Sequence, residues 1–353
     1  MIFASRGGSC AIVVGICSAV VDPVLAAEMS DQFAFGGLIE VEVNAGEIID
    51  RRDSADPIKN AGDVRLATLE LTADAKVTDK VTTHVLLLHE DDATEPMEVD
   101  EGTIRLDLAP ETYLSAGRMY VPFGAFETNM ISDPLTVELA QMREAAVQVG
   151  AQRGHWNGSV YMFNGDTMKT STADRGDDPL QHFGVKIGFA MENDAYVLDL
   201  GAGYVNSIGD SNSMQELLVA TTLEHYVAGY ALNALYKSGP VNVIVEYVHS
   251  DQFHVGEINY QGRGAEPVAL NVELGYSFLL DGKASGVAIG YQATDEAVAL
   301  PVPKAAVLVG MSHAVFDNTT LKFELNHFVD YDSSEGGSGR SATMVTAQLG
   351  VTF

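Results

Sequence analysis

SATMVTAQLGVTF, residues 341–353, closes the chain, and its alternation decides how the rest is read. Val345, Ala347, Leu349, Val351 and Phe353 fall on one face of a strand, and Met344, Thr346, Gln348, Gly350 and Thr352 on the other, because side chains alternate across a strand. One face is apolar and the other mostly small or polar. Such a strand fits two architectures: a soluble sandwich with one buried face, or a closed barrel whose apolar face meets lipid and whose other face meets water.

The amino terminus points to export. Arg6 precedes the apolar run CAIVVGICSAVV, Cys10 to Val21, which is followed by Asp22-Pro23 and VLAAE. The run is shorter than the roughly 20 residues of a spanning helix and has the form of a secretory signal peptide, expected over residues 1–26. An acylated Cys17 is disfavoured by the bulky Ile16 before it. Both cysteines of the chain, Cys10 and Cys17, lie in this leader, so the exported part, residues 27–353, is expected to form one domain without disulfides. The formal net charge is −29, and losing Arg6 and Asp22 with the leader leaves it unchanged. That balance argues against nucleic acid and suits cationic solutes or divalent ions.

Sixteen period-two segments can be marked along the chain. They lie near 35–44, 63–75, 79–90, 101–108, 112–121, 142–151, 154–163 and 181–191, then 195–206, 221–237, 240–250, 267–280, 284–294, 304–314, 319–329 and 341–353. Fourteen or eighteen strands remain open alternatives. Their connections alternate in length. Thr78-Asp79, Ala109-Pro110-Glu111, Arg153-Gly154, Asn193-Asp194, Ser238-Gly239-Pro240, Asp281-Gly282-Lys283 and Asp317-Asn318 carry tight-turn chemistry. The intervening connections are long and polar: 45–62, 91–100, 122–141, 164–180, 207–220, 251–266, 295–303 and 330–340. A soluble sandwich has no reason to sort its loops by parity. An up-and-down transmembrane β-barrel does, with short periplasmic turns, long extracellular loops and both termini in the periplasm. The expected setting is therefore the bacterial outer membrane, with lipid, lipopolysaccharide and the barrel-assembly machinery as partners and Phe353 as the assembly signal.

The charged face of each strand must be luminal, since a carboxylate facing hydrocarbon would cost several kcal/mol. In the segment near Leu71, Thr68, Glu70, Thr72 and Asp74 oppose Ala67, Leu69, Leu71 and Ala73. Near Leu274, Asn271, Glu273 and Ser277 oppose Val268 to Phe278 in alternation. The luminal wall then carries Glu40, Glu42, Glu70, Asp107, Asp199, Glu246, Glu273 and Glu324 against Arg105, Arg118, Lys186 and Lys322. Two readings coexist: an acidic excess favouring small cationic solutes, and carboxylates that only satisfy cross-strand partners. Tyr204, Tyr226, Tyr236, Tyr247 and Phe328 are expected in aromatic girdles.

The third long loop, VPFGAFETNMISDPLTVELAQ from Val121 to Gln141, reads as the longest. Folded inward it would narrow the pore with Glu127, Asn129, Asp133 and Glu138; otherwise it is a surface loop with a short helix after Pro134. The acidic stretch from His89 to Glu101 offers Asp91, Asp92 and Glu95 to a divalent ion but lacks the spacing and central glycine of an EF-hand loop. For catalysis, His249-Ser250 and Ser312-His313 are adjacent pairs whose members face opposite ways, so no enzyme and no cofactor is expected.

FGGLIEVEV (35–43), LLLHEDDATEPMEVDEGTI (86–104), AGRMYVPFGAFETNMISDPLTVELAQMRE (116–144), YQGRGAEPVALNVELGYSF (260–278) and GYQATDEAVALPVPK (290–304) resemble the siderophore-porin family typified by the legiobactin receptor. The resemblance runs over essentially the whole exported chain, with the third-loop block its most specific part. It implies an outer-membrane barrel that passes a ferric siderophore without an energy-coupled plug. The short stretch expected before the first strand leaves no room for a plug. The residues alone leave two alternatives: a general cation-preferring porin for small nutrients, and a structural or adhesive barrel binding lipopolysaccharide or divalent ions. A homotrimer is compatible with either channel reading.

Overall fold

The structure is a computed structural model describing residues 32–53, 55–91, 96–170, 180–218 and 222–353. The expected leader, and Asp92 and Glu95 of the acidic loop, lie outside the described residues. Eight strands make the first half of a closed antiparallel barrel: β1 (Phe33–Ile49), β2 (Ile58–Thr78), β3 (Val81–Glu90), β4 (Glu98–Ala109), β5 (Thr112–Tyr120), β6 (Arg143–Arg153), β7 (Trp156–Asn164) and β8 (His182–Glu192). The chain continues through β9 (Val197–Val205), β10 (Gly229–Ser238) and β11 (Val241–Ser250). A small hairpin outside the barrel follows, β12 (Asn259–Tyr260) with β13 (Arg263–Gly264). The barrel is completed by β14 (Val268–Leu280), β15 (Lys283–Asp295), β16 (Ala305–Phe316), β17 (Thr319–Val329) and β18 (Ser341–Thr352). Sixteen strands thus close on themselves, and no sheet edge is left open in the barrel.

The seam joins the two ends of the chain. Leu38 to Gly46 of β1 pair with Thr352 to Met344 of β18. One step further, Phe353 N–H donates to Gly37 O (3.0 Å) and Gly37 N–H donates to Phe353 O (2.8 Å). The Phe353 ring covers Gly37 so closely that a Cβ there would stand 2.5 Å from Phe353 Cζ. Along β18 the two faces separate as the terminal alternation requires: Val345 and Leu349 are exposed on the outside, while Thr346 and Gln348 are buried inside. The same division holds on β14, where Val272, Leu274 and Tyr276 are exposed and Asn271 and Glu273 buried.

Short turns gather on one rim, with Gln32 and Phe353 at the same end. Asp281 and Gly282 adopt left-handed φ of 52° and 76°, the pair that a two-residue hairpin with right-handed strand twist demands, while at Asp317-Asn318 only Asn318 does, at 56°, beside a register shift between Ala314 and Phe316. The other rim carries the long connections. Here the observed boundaries differ from the sequence reading in two places. β1 and β2 run well past 35–44 and 63–75, because Glu47 to Ile49 and Ile58 to Asn60 continue the ladder toward the long-loop rim. The segment 221–237 is strand only from Gly229. Its first part belongs to the fifth long loop, 206–228, which is one residue longer than the third, 121–142, so the third is not the longest.

Candidate functional site

The third loop does not lie on the surface. It leaves β5, folds into the barrel and returns to β6, its base closed by Val121 N–H donating to Met142 O at 3.0 Å. Pro134, with φ −66°, precedes a short helix α1 (Leu135–Ala140), as the sequence suggested for this position. Val121, Phe123, Val137, Leu139 and Met142 are buried. They pack into one apolar cluster with Ile208 and Leu223 of the fifth loop, Phe253 and Ile258 of the sixth, Leu300 of the seventh and Tyr331 of the eighth. Burying each side chain of this size contributes about 1.5–3 kcal/mol. The wall the loop packs against supplies apolar area to match. Ile244 and Val248 of β11 point inward and are buried, so VNVIVEYV is a nearly continuous hydrophobic run because protein covers one face and lipid the other.

Three wall carboxylates hold the loop along its length. Glu246 on β11 accepts the Ala125 N–H (2.7 Å), the Phe126 N–H (3.1 Å) and the Thr136 hydroxyl (2.8 Å). Glu273 on β14 accepts the Thr128 hydroxyl (2.7 Å) and the Asn129 N–H (2.6 Å). Glu324 on β17 accepts the N–H groups of Ile131 (2.6 Å) and Ser132 (3.0 Å) together with the Ser132 hydroxyl. All three are at most 2% exposed. Lys186 of β8 donates to Gly124 O (2.6 Å), and Asn129 donates through its side chain to Asn242 (2.9 Å). A loop inside a barrel has backbone N–H groups that neither helix nor ladder satisfies, and the carboxyl oxygens of the wall supply the missing acceptors.

This geometry places the expected site residues as follows. Glu246, Glu273 and Glu324 are luminal by register, but their oxygens are engaged by the loop rather than presented to solutes. Of the four third-loop residues, Asn129 is buried as a wall contact and Glu138 accepts the Ser213 hydroxyl of a helix in the fifth loop, α2 (Asn212–Leu218). Burial raises the Asp133 carboxyl well above the usual range, with Glu90, Glu138 and Glu40 adding to it. Burial likewise pushes Glu127 up to about 7; Lys237 opposes it, while Asp199, Glu246 and Glu273 reinforce it. Glu70 faces inward beside Leu88 and is buried. Lys322 stands 4.0 Å from Glu40, and Arg65 pairs with Glu42 at 2.7 Å.

Three expectations need correction. Arg118 alternates with the inward, buried Met119 and pairs with Ala145, which puts it on the outward register near the long-loop rim rather than in the lumen. Tyr226 lies in the fifth loop against His182, 4.6 Å between ring centroids, and Phe328 shares the inward face of Glu324 and packs against the cluster of Met130, Ala288, Ala306 and Leu308. Neither belongs to a girdle. Outward aromatics do include Tyr236 and Tyr247, together with Tyr230, Tyr276 and Tyr291. Among the described residues no group of three or more potential metal ligands comes together.

Open lumen remains along the wall opposite the pinned loop. One cavity of about 480 Å³ near the turn rim touches Asp74, Lys76, His84 and Arg105. A second of about 580 Å³ touches Arg105, Tyr113, Pro122, Gln148 and Lys186. Arg105 lines both.

No protein-family model matches the chain. A UPF0422 protein of Coxiella burnetii is 30% identical over 247 residues, covering 67% of this chain and 52% of that protein. A UPF0422 protein of Legionella pneumophila is 28% identical over 339 residues, covering 83% of this chain and 62% of its own length. The chain therefore spans between about half and three-fifths of the length of these curated relatives. Among solved structures, the outer membrane channel DcaP of Acinetobacter baumannii superposes with a TM-score of 0.62 at 15% identity, covering 91% of this chain and 97% of that one. OprB of Pseudomonas putida gives 0.61 at 10% identity, covering 91% and 94%. An anion-selective porin from Comamonas acidovorans gives 0.60 at 13%, covering 91% and 99%. At these identities the likeness establishes a porin-type fold.

Proposed function

We propose that the protein is a passive channel of the bacterial outer membrane whose bore is set by the inward third loop. The observation that carries this reading is the anchoring of that loop on Glu246, Glu273 and Glu324, which fixes it inside a closed barrel while open lumen remains beside it. A barrel serving only as a lipid-facing scaffold has no need to pin a loop in its interior. Export by a leader over residues 1–26, termini on the periplasmic side, assembly signalled by Phe353 and a homotrimeric state belong to the same reading. So does an eyelet in which Glu127 carries the titratable charge.

The cargo we propose is a ferric siderophore, supported by the third-loop block and the other stretches that resemble the siderophore-porin family. A passive pore cannot concentrate its ligand, so binding on the order of micromolar or weaker serves passage better than tight capture. Expressed in an iron-starved host lacking its own siderophore receptors, the protein is expected to restore uptake of a matching ferric siderophore even when the energy-coupling system is deleted. Uptake lost on that deletion contradicts the passive reading. Equal permeability to unrelated solutes of similar size would assign the barrel to general nutrient diffusion instead.

A further inference from the structure

Arg105 of β4 is held in a fixed pose by its neighbours on the wall. Its guanidinium carbon lies 3.9 Å from the centroid of the Tyr113 ring. Its Nε donates to Asp107 Oδ1 at 3.1 Å. Tyr113 is itself positioned, accepting from Gln148 Nε2 at 3.0 Å and lying across Gly150, where a Cβ would come within 2.3 Å of Tyr113 Cζ. Stack, Nε bond and glycine seat together orient one plane. Among the described residues the two terminal nitrogens of Arg105 donate to no protein acceptor, and the side chain stands between the two open cavities.

The other charges near it are already engaged. Asp74 contacts His84 at 2.8 Å, Lys76 contacts Asp79 at 2.8 Å, and Lys186 donates to Gly124 O. Glu111 lies 3.9 Å from Arg153. Asp107 lies on the Nε side and leaves the far side of the fork open. A planar guanidinium with two parallel donors free, flattened on an aromatic ring, matches a carboxylate bidentately; an ammonium in its place would offer charge without the fork.

From this we infer that Arg105 is a specificity-determining residue that binds a carboxylate of the passing solute between the two cavities. The inference rests on the channel reading and deepens it: it names carboxylate-bearing solutes as a favoured class and assigns the step to a stacked arginine on the wall facing the third loop. The lumen then distinguishes solutes by a placed donor pair as well as by its net acidity.

The test is single-channel recording in moderate KCl with citrate as probe and sucrose as neutral comparison. Citrate is expected to produce concentration-dependent interruptions of current that sucrose does not. Arg105→Gln should need at least about ten-fold more citrate for the same fractional block of its own KCl current, and Arg105→Lys should fall clearly short of the parent channel because it keeps charge and loses the fork. The citrate-against-sucrose comparison on the unmodified protein stands even if a variant fails to assemble. A barrel that conducts KCl but responds alike to citrate and sucrose overturns the carboxylate site alone. Block unchanged in Arg105→Gln, or equal in Arg105→Lys, overturns the assigned role of the fork. A barrel passing no KCl current overturns the channel reading and this inference with it.

Discussion

Glu273 Oε2 on β14 accepts the backbone N–H of Asn129 at 2.6 Å, joining residues 144 apart in sequence. The contact turns a luminal carboxylate into a structural anchor. Strand alternation alone put Glu273, Glu246 and Glu324 in the lumen as charges available to solutes, whereas the structure uses each to fix one stretch of the third loop.

Removing one anchor should loosen the loop locally. Glu273→Ala deletes the acceptor for the Thr128 hydroxyl and the Asn129 N–H, and each buried donor left unsatisfied costs about 1–3 kcal/mol. Limited proteolysis of folded protein should then cut within 121–142 faster than in the parent, while the heat-resistant gel band persists because the barrel ladder is untouched. Unchanged cleavage would show that apolar packing alone seats the loop.

Glu127 should make the ion current depend on pH. Its carboxyl, raised to about 7 chiefly by burial, is mostly neutral at pH 6 and mostly charged at pH 8. Because the folded pKa is raised, ionisation is disfavoured in the folded loop, and the stability contributed by the neutral form is lost as pH climbs through about 7. Reversal potentials under a salt gradient should show cation preference rising between pH 6 and 8, and Glu127→Gln should flatten that rise. A steep rise persisting in the variant would assign the titration elsewhere.

The rim above the seam is clasped by Arg51. It donates to Asp330 and to the carbonyls of Val298 (2.8 Å), Leu300 (3.0 Å) and Val302 (2.8 Å). Breaking a buried pair from one side costs about 3–5 kcal/mol. Arg51→Ala should therefore raise protease sensitivity in 296–304 and 330–340. Burial alone would raise the Asp330 carboxyl, but Arg51 and Ser338 hold it below the ordinary carboxylate range. The clasp is thus present above the ordinary carboxylate range and lost as pH falls through the depressed value, so acid should reproduce the variant's protease pattern.

At the seam, deleting Phe353 removes two backbone hydrogen bonds to Gly37 and the ring that covers it. Less heat-resistant folded band and less protein in the outer membrane are expected. Gly37→Val should act in the same direction, because its side chain meets both the Phe353 ring and Glu70 O. A deletion variant that folds and accumulates normally would remove Phe353 from the account of closure.

Much of the barrel was legible in the chain because lipid on one side and water on the other impose alternation strand by strand. Val272, Leu274 and Tyr276 against Asn271 and Glu273 is such a case. Turn chemistry at Asp281-Gly282 and Asp317-Asn318 fixed the parity of the loops. Contacts between distant segments left no local trace: nothing in the pattern around Glu324 marks Ile131 and Ser132 as its partners. The inward apolar residues Ile244 and Val248 were the available signal that something packs inside β11. Tyr226 misled because its neighbours alternate like a strand, yet Leu223 and Val227 bury among loops.

If wall carboxylates pin the third loop to set the bore of a conducting barrel, removing them should widen it. Single-channel conductance is compared for the parent and for Glu246→Ala/Glu273→Ala/Glu324→Ala, both first shown to fold by the heat-shifted gel band. A stable ion current is expected from the parent and a clearly larger, noisier one from the triple variant. Equal conductance in the two, or no current in either, rules this out.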